Sequence, residues 1–448
     1  SMYNAGLVGA GNQMLQVFHF RGLSTALRIV VTLCCLAVAA LPTSLLAQSY
    51  DNPGLGQKPV AAHPQDFKPL GVRAGSFMLH PGVELAAQYN DNILYTNTGE
   101  VSDLIWHVRP YITAQSTWSR HSFTASLAAD IGRYADYSVR DYEDIFFQVG
   151  GTVDVSSRSV FTWGADYMQL HEERNIRSAE QGVKPTNYDL LGGSLGYDHV
   201  FNRMSVGLSY DIQQLDYDDN IDEEGEIIEN SDRDRTQQNV GLRLGYQFKA
   251  DKQAFFTLGY SDSSYDQEFD RNGFSRDSSG YNMGAGIGFN ITGVLDGDVS
   301  INYRERSYDD EQLEDIDGWG FGAGLTWMPT MLTTVRGTIS TSIEDTTQAT
   351  SSGYFRTLYS LRADHELLRN LQIHGQLSYT INDYQVLPDA PEDARTEDTY
   401  FTADVGATYF ISRSVWLSAS YKYGTFETDA TNDDFKSNTV WLVLGFER

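Results

Sequence analysis

Between residues 277 and 329 the chain alternates so strictly that only an extended backbone can make use of it. Tyr281, Met283, Ala285, Ile287, Phe289 and Ile291 take the odd positions, and Asn282, Gly284, Gly286, Gly288 and Asn290 the even ones. A second copy follows, in which Trp319, Phe321, Ala323, Leu325 and Trp327 alternate with Gly318, Gly320, Gly322, Gly324 and Thr326 until Pro329 ends the run. Side chains of a strand point to opposite faces in turn, so each run has one apolar face and one small or polar face. A helical period would scatter both sets around the axis. Both runs are longer than an ordinary globular strand and carry aromatic residues at their ends, as membrane-crossing β-strands do.

The same alternation recurs from Phe77 onward, joined by two kinds of connection that themselves alternate. Short ones fall at Ser119 and Arg120, at 156–159, 201–203, 250–252, 293–296 and 329–331, at Arg369 and Asn370, and at Ser412 and Arg413. Long ones fall at 96–102, 137–142, 171–186, 216–235, 263–279, 308–317, 344–353, 384–399 and 426–437. The segments between them number about 18, with 16 possible, and the expected fold is all-β: a closed antiparallel transmembrane β-barrel with short turns at one rim and long acidic loops at the other. A soluble sandwich or propeller gives no reason for every second connection to be long. In lipid the sheet must close, because an open edge leaves backbone groups unpaired.

Sixty acidic residues face 32 basic ones, for a net charge of −28. Such a chain is not expected to bind nucleic acid, which needs Lys and Arg against phosphate. The charge is segregated. Arg120, Arg158, Arg203, Arg369 and Arg413 sit in short turns, where they can reach lipid head groups, while 216–235 alone holds Asp216, Asp218, Asp219, Asp222, Glu223, Glu224, Glu226, Glu229, Asp232 and Asp234. Like charges this dense are expected to stay solvated, with loose divalent bridging but no dedicated metal site. Cys34 and Cys35 lie in an apolar run, 29–41, preceded by Arg21 and Arg28 and followed by a small-residue exit at Ala47. That order reads as a secretory leader over 1–47. A Pro-rich tail over 48–76 then precedes the barrel, 77–448, and serves as a tether, a plug or a periplasmic dock.

If the apolar parity faces lipid, the other parity faces the lumen. His107, Arg109, Asp130, Asp154, Asp166 and Asp211 are then expected to line the early strands, and Arg304, Arg306, Arg336, Arg356, Arg362 and Asp404 the later ones, with Asp364, His374 and Lys422 near them. Charges on these strands are tolerable only on a wetted face. The arginines either offer anions a path of exchangeable sites or pair with carboxylates along the wall. The inward glycines of the two Gly-rich runs either bend the sheet or make room for something packed against it. No G-x-S-x-G or H-E-x-x-H motif occurs, so no enzyme and no cofactor is expected.

His80-Pro81-Gly82-Val83-Glu84, Tyr89-Asn90-Asp91-Asn92-Ile93, Val108-Arg109-Pro110, 116–121 and Asp141-Tyr142-Glu143-Asp144 together resemble outer-membrane β-barrel porins encoded beside exopolysaccharide synthesis and export machinery. The resemblance implies a passive conduit in the Gram-negative outer membrane, with lipid and lipopolysaccharide around it, a polysaccharide polymer inside it, and periplasmic and inner-membrane export components as partners. A general diffusion porin for small anionic solutes, or a structural barrel, is the alternative.

Overall fold

The computed structural model describes residues 67–174, 182–291, 293–430 and 433–448. The leader and most of the Pro-rich tail lie outside the described residues. Eighteen long strands build the fold: β1 (Phe77–Asn90), β2 (Asp103–Ser116), β3 (Ser122–Tyr134), β4 (Tyr142–Ser156), β5 (Ser159–His171), β6 (Asn187–Phe201), β7 (Met204–Tyr217), β8 (Arg235–Lys249) and β9 (Lys252–Tyr265). The second half holds β10 (Ser278–Ile291), β11 (Leu295–Tyr308), β12 (Ile316–Thr330), β13 (Thr333–Asp345), β14 (Ser351–Leu368), β15 (Leu371–Val386), β16 (Glu397–Phe410), β17 (Val415–Thr428) and β18 (Phe435–Glu447). Each pairs antiparallel with its sequence neighbour, and β18 returns to β1 from Gly82↔Glu447 to Asn90↔Thr439, closing the cylinder. The short turns gather at one rim and the long loops at the other, as the spacing predicts.

Alternation appears directly in exposure. Trp106 is 55 %, Leu191 55 %, Val405 58 %, Trp319 68 % and Phe321 59 % exposed, and all lie on the outer face. Tyr260, Tyr281, Tyr303 and Trp319 form neighbouring ring pairs toward the long-loop end of that face. Trp327 lies eight residues below Trp319 on the same strand. At ~3.3 Å per residue and a tilt of 35–45° that spacing is about 20 Å, close to the height of an apolar membrane band.

Glycine opposite an aromatic ring recurs along the wall. An added Cβ would meet the Tyr111 ring 2.3 Å from Gly82, the Tyr142 ring 2.4 Å from Gly132, and the Trp416 ring 2.1 Å from Gly445. In each case the two residues are cross-strand partners. The ring covers the gap a missing side chain would leave, which pins the register.

The ladder departs from regularity between β12 and β13. These strands pair only from Ala323↔Ile339 down to Thr330↔Thr333, so residues 316–322 and 340–345 lack ladder partners across this seam. Thr341, Ile343 and Asp345, which share the parity of the outward Val335 and Ile339, turn up inside. The Thr341 hydroxyl lies 2.2 Å from where a Gly320 Cβ would be and donates to Asn302 Oδ1 at 3.1 Å. The Phe355 ring of β14 lies 3.1 Å from where a Gly318 Cβ would be. The long-loop end of the β13–β14 hairpin is therefore rolled inward behind β12, and Gly318 and Gly320 make room for it. Of the two roles open to these glycines, packing against the wall is the one these two serve.

Gly445→Val is expected to destabilise the refolded barrel by about 1–3 kcal/mol through the clash with Trp416, read as a lower urea midpoint in detergent.

Candidate functional site

Near β1–β5 the inner face holds a packed ionic cluster. Arg109 Nε is 2.8 Å from Asp130 Oδ2, His107 Nδ1 3.0 Å from Asp130 Oδ1, and His107 Nε2 3.0 Å from Gln88 Oε1. Glu84 approaches Arg109 at 3.6 Å, and the guanidinium lies 5.0 Å from the Trp441 ring centre. Arg109, Asp130 and His107 are at most 2 % exposed. Tyr142 stacks on His171 at 3.7 Å, and His171 meets Asp144 at 2.9 Å. Three of the expected lumen residues are thus brought together as a sealed wall cluster. Asp154 lies elsewhere, at the short-turn rim, where Oδ2 accepts from the His121 amide at 3.1 Å. Asp166 lies against Gly192, where an added Cβ would meet its carboxylate at 2.5 Å. Asp211 lies on β7 in register with Ser194 and Asn239.

The arginines of β11–β14 divide by partner. Arg336 and Arg362 share Asp364, at 2.8 Å and 2.5 Å. Arg362 also donates to Gln376 Oε1 at 3.2 Å, and Asp404 on the next strand but one meets His374 at 2.8 Å. Arg356 is 7 % exposed, on the in-rolled part of β14. Arg304 donates to Asn302 Oδ1 at 3.2 Å. Arg306 donates to Asp345 Oδ1 at 2.6 Å and to the Ile343 carbonyl at 3.1 Å. That second bond takes up a carbonyl on the stretch of β13 that has left β12.

Alternation on the strands could not reveal the groups that fasten this hairpin from the loops. Arg276, 4 % exposed, donates to the carbonyls of Gln348, Ser351 and Ser352 at 3.3, 3.3 and 2.9 Å and pairs with Asp270 at 2.8 Å. Asn272 donates to the Thr347 carbonyl at 3.1 Å, and the Glu314 amide to Ser352 Oγ at 2.7 Å. Asp345 reaches the far strand β8, where Arg235 lies at 3.4 Å and Gln237 at 3.3 Å. An apolar cluster of Tyr308, Leu313, Ile316 and Ile343, flanked by Phe274, Phe355 and Leu387, fills the space beneath. The signal in the sequence was a set of basic residues, Arg233, Arg235, Arg271 and Arg276, inside loops read as acidic and solvated.

Those loops are more ordered than like-charge repulsion suggested. Arg233 pairs with Glu172 at 2.5 Å, and Arg271 with Asp232 at 2.8 Å. Burial would raise the Asp232 carboxyl, but the hydrogen bonds from Arg271 outweigh it and hold the group below its usual range. Asp234 goes the other way: burial, then the charges of Asp216 and Asp266, push it up to about 7.

A closed barrel of eighteen strands with an apolar, aromatic-edged exterior and a charged interior defines an outer-membrane channel of the porin type, seated in the Gram-negative outer membrane. The profile of the family described as "Putative beta-barrel porin 2" matches residues 63–448, and the chain belongs to that family. No protein of curated function matches it. Among solved structures, Pseudomonas aeruginosa OccK3 (OpdO) is 13 % identical with a TM-score of 0.40, over 83 % of this chain and 95 % of that one. Acinetobacter baumannii OccAB2 is 13 % identical with a TM-score of 0.45, over 84 % and 99 %. A BenF-like porin from Pseudomonas fluorescens Pf-5 is 9 % identical with a TM-score of 0.42, over 83 % and 98 %.

Arg306→Gln strips Asp345 and the Ile343 carbonyl of a shared donor, and an expected loss of about 2–3 kcal/mol should appear in urea titration of the refolded barrel. Because the folded-state Asp234 carboxyl is raised from 3.8 to about 7, its contribution is full below the unfolded value and is lost as pH rises through about 7. Hydrogen exchange across 218–234, corrected for intrinsic rates, should therefore be faster at pH 8 than at pH 5, and Asp234→Asn should remove the difference.

Proposed function

We propose that this channel is a passive conduit through which an exopolysaccharide crosses the outer membrane, delivered by periplasmic and inner-membrane export components. The observation that carries the reading is Arg304. It lies on the inner face with Asn302 as its hydrogen-bond partner and the charge of Glu344 acting on it, and among the described residues it makes no ion pair. A guanidinium in that position attracts carboxylates or sulfates reversibly, as an acidic polymer in transit requires. Hydroxyl and amide groups that share the inward parity of these strands, Ser300, Asn302, Thr338 and Gln376, offer exchangeable hydrogen bonds to sugar hydroxyls. The resemblance in the first third of the chain points the same way.

The second reading, a diffusion porin for small anionic solutes, is favoured by one observation: the in-rolled hairpin narrows the outer mouth. Deletion separates the two. Loss of surface polysaccharide with periplasmic accumulation supports the conduit, whereas intact polysaccharide with altered small-solute uptake overturns it. In planar bilayers under a salt gradient, Arg304→Gln is expected to move the reversal potential toward cation selectivity more than Arg336→Gln, because Arg336 is ion-paired with Asp364, which it shares with Arg362. Equal or absent shifts would remove the anion path.

A further inference from the structure

We infer that the long-loop half of the β13–β14 hairpin is a gate with two registers, rolled inside the mouth when closed and zipped into the wall beside β12 when open. This rests on the channel reading. The open register is already written in the chain. Extending the observed pairing upward from Ala323↔Ile339 puts Gly322 opposite Ser340, Phe321 opposite Thr341, Gly320 opposite Ser342 and Trp319 opposite Ile343. In that register Ile343 joins Trp319 on the lipid face and Ser342 and Glu344 face inward, which is what the alternation of β13 from Val335 through Ile343 demands.

The closed register places those same residues on the inner side, against the alternation of the strand but with Ile343 in the apolar cluster of Tyr308, Leu313 and Ile316. Ile343 is 9 % and Thr341 6 % exposed, both behind β12, and the strand edge that left the ladder is served by a side chain, Arg306, at the Ile343 carbonyl. The polar fastenings are few in kind, Arg306 and Arg235 on Asp345, Arg276 on three carbonyls and Asn272 on Thr347, and they act beside the apolar packing of Ile343 and Phe355 with Tyr308, Leu313 and Ile316. Opening exchanges them for ladder bonds, and removes the hairpin and the Phe355 ring from the mouth. The two arrangements use one stretch of chain in two discrete packings, as a bistable element requires. Gly318 and Gly320 serve the closed form, since a side chain at either would meet Phe355 or Thr341 there.

Two disulfides sharing one cysteine test this in a Cys34→Ser, Cys35→Ser background. Gly320→Cys with Thr341→Cys joins positions that touch only when the hairpin is rolled in; Gly320→Cys with Ser342→Cys joins partners only of the open register. Single-channel conductance in planar bilayers is read before and after dithiothreitol, with the disulfides verified by mass spectrometry. The expected result is loss of the large-conductance state in the first variant, a persistent severalfold rise in the second, and reversal of both on reduction. Arg276→Gln, which removes a fastening without any cross-link, should raise the open fraction. A Gly320–Ser342 disulfide that does not form in folded protein, or forms without changing the conductance of a channel that conducts, overturns the gate alone. A verified open-register disulfide in a barrel that never conducts overturns the channel reading with it.

Discussion

The architecture depends on the need of every backbone amide and carbonyl to find a partner where lipid offers none. Sequential antiparallel pairing makes seventeen of the eighteen strand junctions in order, one of them only along its short-turn half, and the return of β18 to β1 makes the last. The local features serve that closure. Glycines sit opposite Tyr111, Tyr142 and Trp416 where rings must lie flat on the wall, and short turns leave little slack for a slip of register. Where the ladder fails, between the upper parts of β12 and β13, the freed edge is drawn into the lumen and capped by Arg306.

Alternation made the fold legible. Once Tyr281 to Ile291 and Trp319 to Trp327 were read as period two, the strand count, the two rims and the faces of most residues followed. It says on which side of a strand a residue lies. It does not say whether that side is wet. His107, Arg109 and Asp130 share a face as expected, yet they spend their hydrogen bonds on one another behind Trp441 and Glu84. The arginines of β11–β14 were open to two roles, and their partners differ: Arg336 and Arg362 are tied to Asp364, while Arg304 hydrogen-bonds Asn302 and, among the described residues, forms no ion pair.

The in-rolled hairpin was not legible, and the reason is physical. Thr341 and Ile343 continue the apolar parity of Val335 and Ile339, so the local pattern assigns them to lipid. The force that withdraws them acts between distant segments. Arg276, Arg235 and Asn272 belong to connections and strands more than sixty residues away in sequence, where the density of Asp and Glu suggested solvated loops. A ladder pairs neighbours, whereas side-chain fastenings of this kind pair any two surfaces the cylinder brings together. The glycines of β12 were the visible half of this contact; its other half could be found only by folding the chain.

Seen from the bilayer, the withdrawn strand is a dent. The wall steps back beside Trp319 and Phe321, where β13 has left the ladder. Acyl chains of the surrounding outer leaflet must sag into that recess or leave it thin. Annular packing around this barrel is therefore uneven, and a neighbouring molecule in a crowded outer leaflet meets a recessed flank here.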